Sequence, residues 1–324
     1  MVAFLAATIV TATCLFGACD RRKQAPAMRS MLGNFGIPRS LAFRPDGKML
    51  SAVGIDGTLT IFDLPAGIEN PDGPQGAGPV RCAVFSPDDR ALATASSTAA
   101  VALHDLVDRK SVPLDDVPAA TAGAACVAFS PDGRALAVGH EDGQVTLWDP
   151  SRMCRRSTLT GHTQFVAALA FAPNGAMLAS SAGDRTTRIW DLRASRERWV
   201  ITSAGSTLTA MAFAPDGRYL FLGDPTSPVV RVWDMTTGRE HAALSGPDGA
   251  VVAVAAGPDG NSLAAADYHG GITFWDLATL SVRPTKLRHP GVRALAFDPG
   301  GQTLASGGFD GTIHLWNLPV AEGD

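Results

Sequence analysis

The strongest constraint on this chain is a unit written seven times. It appears as "LAFRPDGKMLSAVGIDGTLTIFDL" (41–64), "AVFSPDDRALATASSTAAVALHDL" (83–106), "VAFSPDGRALAVGHEDGQVTLWDP" (127–150) and "LAFAPNGAMLASSAGDRTTRIWDL" (169–192), and again at 211–235, 254–277 and 295–318. The closing residues Asp63, Asp105, Asp149, Asp191, Asp234, Asp276 and Asn317 recur every 41 to 44 residues. A period of this length means one supersecondary element per unit, each burying its apolar face only against its neighbours. No enzyme motif repeats in this way.

Each unit reads as three strands. A small apolar run such as "AALAF" meets a Pro-Asp-Gly turn, where proline presets φ and glycine accepts a positive φ. The next run, "AMLAS", passes a second turn at Asp-Gly or Asp-Arg and enters "TTRIWD", whose alternation suits a strand with two different faces. Segments between units, such as "RRSTLTGH", supply a fourth, outer strand. The alanine bias of the first strand fits a place near a common axis. The 34 glycines and 22 prolines are spread along the chain, as regularly spaced turns require.

Units of this length ending in Trp-Asp resemble the WD-repeat (WD40-type) β-propeller family over about residues 28–319. Five units end in Trp-Asp or Trp-Asn, and two end in Phe62-Asp63 and His104-Asp105. The resemblance implies an all-β fold: a seven-bladed β-propeller of four-stranded antiparallel blades. Counting 28 residues back from Phe62 reaches Asn34, so "AMRSMLGN" matches "RRSTLTGH" as an outer strand. An N-terminal outer strand is therefore expected to complete the last blade and remove the open sheet edges. The expected organisation is a separate segment at 1–19, a short linker at 20–27 and the propeller at 28–324.

The family also places a His, a Ser or Thr, an Asp and a Trp in a hydrogen-bond chain within a blade. By position these are His162, Ser180, Asp184 and Trp190, and the count gives all four to blade four alone. Asp56, Asp142 and Asp310 repeat the acid, and Ser306 matches Ser180. A Ser-His-Asp set invites a hydrolase reading. It falls at a repeat position without a Gly-x-Ser-x-Gly elbow, so a structural role is expected.

Function must be argued from a site rather than from the fold. In WD-repeat proteins the usual contact surface is the top face, formed by the start of each first strand and the residue before the blade Asp. The first set is Arg39, Arg81, Ala125, Ala167, Thr209, Val252 and Arg293. The second is Ile55, Ser97, Glu141, Gly183, Thr226, Tyr268 and Phe309. Arg39, Arg81 and Arg293 belong to blades one, two and seven, which become neighbours on closure, as do Ile55, Tyr268 and Phe309. A protein or peptide carrying carboxylates or phosphate beside an apolar anchor would suit such a face. Alternatively, the arginines pair with nearby acids such as Glu141.

The remaining features are plainer. With 27 basic and 31 acidic residues, a net charge of −4 offers no bulk attraction for nucleic acid. The basic stretches 151–157 and 192–199 read as solvated outer edges, and "LPAGIENPDGPQGAGP" (64–79) as a poorly paired edge of blade one. Cys82 and Cys126 occupy matching repeat positions and read as small buried residues, and no Cys/His spacing suggests a metal site. No cofactor is expected, and the propeller is expected to be monomeric and non-catalytic. An enzyme using the central channel, or the sensor half of a longer polypeptide, are the alternatives.

The N-terminus "MVAFLAATIVTATCLFGAC" is apolar or small for 19 residues and stops at "DRRK". The ending "LFGAC" resembles a bacterial lipoprotein signal, which would make Cys19 the lipidated residue. A signal anchor, with Arg21, Arg22 and Lys23 on the cytoplasmic side, is the rival reading. Either would tether the protein to a membrane.

Overall fold

The computed structural model describes residues 28–33, 36–70, 79–98, 101–114, 123–203 and 210–318. The segments 1–19 and 20–27, with Cys14 and Cys19, lie outside these residues, as do Asn34 and Thr209. Among the described residues all regular structure is β: 28 strands in seven antiparallel sheets of four. Six sheets use consecutive strands. The seventh is assembled from both ends of the chain, with β1 (Met28–Leu32) paired to β28 (Thr312–Asn317), followed by β27 (Thr303–Gly307) and β26 (Ala294–Phe297). Met28 faces Trp316 and Leu32 faces Thr312 in that register.

The first strands form a closed ring. β2 (Pro38–Phe43) packs on β6 (Val80–Phe85), then β10 (Ala124–Phe129), β14 (Val166–Phe171), β18 (Ala210–Phe213), β22 (Val251–Ala256) and β26, which returns to β2. Second strands lie between neighbours on both faces. Accordingly β15 (Met177–Ala182) and β23 (Ser262–Asp267) are buried at every residue and show no alternation.

The hydrophobic core is divided into seven clusters, and each straddles one boundary between blades. Trp148 of blade three packs with Ala93, Ala95 and Leu114 of blade two, and Trp275 of blade six with Phe221 and Val230 of blade five. Phe62 takes the tryptophan's place in blade one and is 1% exposed, packed with Met31, Ile313 and Leu315 of blade seven. The recurrent aromatic is therefore the joint between one blade and the preceding one.

Pro-Asp-Gly turns interlock in the same sense at one end of the ring. A β-carbon at Gly217 or Gly301, both at positive φ, would lie 3.5 and 3.4 Å from Pro173 and Pro258 of the preceding blade. In blade two Asp89 holds this position with φ 62°, and its carboxylate accepts the Asp46 N–H of blade one at 3.0 Å.

Outer strands vary most. In blade one β5 (Ile68–Glu69) has only two residues, whereas β17 (Arg196–Thr202) of blade four has seven. Trp199 on β17 lies against Gly238 of blade five, with the Arg198 guanidinium 4.2 Å from its ring centre. Charges at and beside the outer strands are partly neutralised locally: Arg156 and Arg152 pair with Asp149, and Arg188 with Glu197. Cys82 and Cys126 are free thiols directed at the Val127 and Val166 carbonyls of the next blade, and burial raises both pKa values.

Met31 is 4% exposed and joins β1 to the cluster of Leu50, Phe62 and Ile313. Met31→Ala should therefore cost about 2–5 kcal/mol in urea unfolding. A loss below about 0.5 kcal/mol, typical of surface substitutions, would show that β1 does not complete the blade.

Candidate functional site

The upper end of the ring carries the loop entering each first strand and the turn between second and third strands. In five blades the ladder between first and second strands skips one residue: Arg39, Arg81, Ala125, Ala167 and Val252. A bulge of this kind leaves a residue unpaired and re-aims its side chain. The positions found by counting back from the aromatic are thus bulge residues. Arg293 precedes β26 and donates its N–H to the Gly307 carbonyl at 2.7 Å.

Arg81 pairs with Glu141 of blade three at 2.8 Å, both side chains about one-third exposed. Arg39 is exposed and has no acidic partner among the described residues. Although its side chain reaches solvent, its surroundings desolvate the guanidinium. That desolvation and the positive charge of Arg81 lower its pKa. Two cations thus sit side by side near the axis, and only one is neutralised.

The residues before the blade Asp are fixed by a repeated bond. Ile55, Glu141, Gly183, Tyr268 and Phe309 donate their N–H groups to the carbonyls of Ile37, Gly123, Phe165, Ala250 and Gly291 in the incoming loops. The side chains of Ile55, Tyr268 and Phe309 are left 60%, 55% and 45% exposed. Arg293 lies between the last two, 4.5 Å from the Phe309 ring centre and 5.4 Å from that of Tyr268. These distances are within cation–π range. The arc of three arginines is therefore divided into an Arg39–Arg81–Glu141 group and an aromatic clasp on Arg293. Phe165, 46% exposed, joins the upper rim unforeseen: glycine at position 183 leaves a gap, and Phe165 lies over it.

In blade four the four family positions meet below this rim. The Trp190 indole N–H donates to Ser180 Oγ at 2.7 Å, and Ser180 Oγ lies 2.8 Å from His162 Nε2. His162 Nδ1 donates to Asp184 at 3.0 Å, and the Thr186 hydroxyl donates to the same carboxylate at 2.7 Å. Ser180 is wholly buried and its oxygen already accepts the indole N–H, so no substrate carbonyl can approach it. Burial lowers the His162 pKa against the opposing pull of Asp184, which keeps the ring neutral at pH 7.

The expectation that blade four alone holds the full set requires correction. In blade seven Trp316 donates to Ser306 Oγ at 2.8 Å, His289 Nδ1 lies 2.7 Å from that oxygen, and His289 Nε2 lies 3.3 Å from Asp310. His289 stands 27 residues before Trp316, whereas His162 stands 28 before Trp190. A connection one residue shorter moves it out of the count. Blade two substitutes His104 for tryptophan, bonded to Thr94 at 2.9 Å, and blade three uses Thr146 to join His140 and Trp148 at 2.8 and 2.9 Å.

Burial pushes the Asp184 pKa up, but hydrogen bonds from Thr186, Thr163 and His162 outweigh it and hold the carboxyl down at about 2. A folded pKa below the unfolded value near 3.8 adds stability above about pH 4 that is lost as pH falls toward 2. Asp184→Asn should therefore cost about 2 kcal/mol at pH 7. Urea unfolding at pH 7 and pH 3 checks this, because the gap between variant and wild type must narrow at the lower pH.

A model described as "WD domain, G-beta repeat" matches residues 28–63, 113–149, 153–191, 238–276 and 283–317. The two blades without a match of their own are blade two, with His104 for tryptophan, and blade five, whose unit carries an inserted residue. Comparison with curated proteins gives no match. With matched segments covering more than half of its length and seven four-stranded blades in a closed ring, the chain belongs to the WD-repeat family.

Proposed function

We propose that this chain is a non-catalytic recruitment module that holds a protein or peptide partner on its upper face and is tethered to a membrane by residues 1–19. WD-repeat propellers are commonly protein-interaction scaffolds. The observation that carries the reading is Arg39, an exposed cation without an acidic partner among the described residues, beside Arg81. Neighbouring like charges repel, and an incoming carboxylate or phosphate relieves that repulsion with charge-assisted hydrogen bonds. Tyr268, Phe309 and Ile55 expose apolar area on blades six, seven and one, suited to an apolar anchor next to the anion. Glu141 limits Arg81 to one free side, which leaves Arg39 as the principal anion contact.

Membrane attachment through 1–19 rests on the apolar run and its "LFGAC" ending. In the favoured form Cys19 is lipidated and the propeller faces the cell envelope outside the cytoplasm. In the rival form the segment is a signal anchor with the propeller inside.

Partners recovered with the wild-type protein should bind Arg39→Ala/Arg81→Ala/Arg293→Ala more than about tenfold more weakly, as measured by calorimetry with the purified partner. An unchanged affinity would remove the upper face from the reading. Palmitate labelling of the wild type and its loss in Cys19→Ser tests the tether separately, and an unlabelled wild type removes the lipoprotein form.

A further inference from the structure

Blade seven departs from blade four in ways its hydrogen-bond chain does not require. His314 stands two residues before Trp316, where blades four and five carry Arg188 and Arg231. Its ring lies face to face on His289, with centres 3.9 Å apart and planes 10° from parallel. The His314 Nδ1 atom is buried without a hydrogen-bond partner, an arrangement polar nitrogens adopt only at a cost.

Asp310 differs as well. Its side chain is 44% exposed, whereas Asp184 in blade four is 8% exposed, and its contact with histidine lengthens from 3.0 to 3.3 Å. Gly308 replaces the Ala182 of blade four, and a β-carbon there would come within 2.4 Å of His289 Nε2. Donor atoms from His289, Asp310 and His314 all lie within 4.8 Å of one another.

We propose that His289 Nε2, His314 Nδ1 and the Asp310 carboxylate form a site for a divalent transition-metal ion of the zinc class. Two imidazoles and one carboxylate are a borderline donor set suited to such an ion, with the fourth position open through the exposed acid. Ligands about 2.0–2.1 Å from a tetrahedral ion stand roughly 3.3–3.4 Å apart, the separation that His289 and Asp310 already have. The second shell is also in place. His289 Nδ1 lies 2.7 Å from Ser306 Oγ, which the Trp316 N–H fixes in turn, so with an ion on Nε2 the Nδ1–H would donate to that oxygen. Binding would require two local rearrangements: Thr312, whose hydroxyl donates to Asp310 at 2.7 Å and lies 3.1 Å from His289 Nε2, would give way, and His314 would turn out of its stack on His289 so that its in-plane lone pair meets the ion. Because Asp310 follows Phe309, the ion would also fix the turn that carries that ring to the upper rim.

The test is calorimetric titration of the full chain, tag-free, in detergent and stripped with EDTA, with Zn²⁺, and with Co²⁺ read by its visible absorption. One saturable equivalent with tetrahedral Co²⁺ bands is expected, together with a higher Tm. His314→Arg, which restores the residue of blades four and five, and Asp310→Asn, at a half-exposed position, should each lose that equivalent while urea unfolding shows the fold retained. No saturable equivalent in the wild type, or one kept by both variants, overturns the site. If His314→Arg fails to fold, Asp310→Asn decides alone.

Discussion

Among the described residues, no cluster of the apolar core is confined to one blade. Every cluster of the core crosses a boundary between two blades, so a four-stranded sheet taken alone would expose one face to water on each side. The physical answer is a ring, and a ring has no stable partial form in which all seven boundaries are satisfied. The pairing of Met28–Leu32 with Thr312–Asn317 follows from this constraint rather than being an ornament of the termini. It joins the first and last residues of the described propeller in one sheet, with Met31 set among side chains of blades seven and one. The interlocked proline and glycine turns repeat the same logic at the lower end.

Buried polar groups are met differently from joint to joint, from a complete hydrogen-bond chain to none. Blades four and seven complete it through serine and histidine. Blade two keeps a shorter version in which the imidazole of His104 stands for the indole, and blade one removes the problem by placing Phe62 at the joint. Blade five is intermediate: the Trp233 indole N–H is buried without a partner, with Arg231 5.6 Å from the ring centre. Conserving the joint's shape matters more to the ring than conserving its hydrogen bonds.

The fold was legible because its signals are local and periodic. Turn chemistry, strand alternation and the distance between aromatics all repeat, and counting from each aromatic also found the rim positions. What escaped reading was whatever depends on a shift of one residue or on contact between blades. His289 was hidden by a connection one residue shorter than that of His162. Phe165 was hidden because its place at the rim is made by the absence of a side chain at Gly183. Pairing of the arginines with acids such as Glu141 is the alternative that the sequence leaves open, and Arg81 alone of the three makes it with Glu141, across blades two and three, while the clasp of Tyr268 and Phe309 around Arg293 joins six and seven. Sequence order alone proposes these neighbours but does not say which of them meet.

In five of the seven blades a bulge exempts one residue from the ladder that binds its neighbours. Arg39, Arg81, Ala125, Ala167 and Val252 exchange no paired bonds with the second strand, so a substitution at any of them leaves the sheet's own accounts untouched. The upper mouth of the ring is in this sense a keyboard whose keys move independently. Its chemistry can drift from cationic to apolar, blade by blade, while the architecture underneath stays fixed.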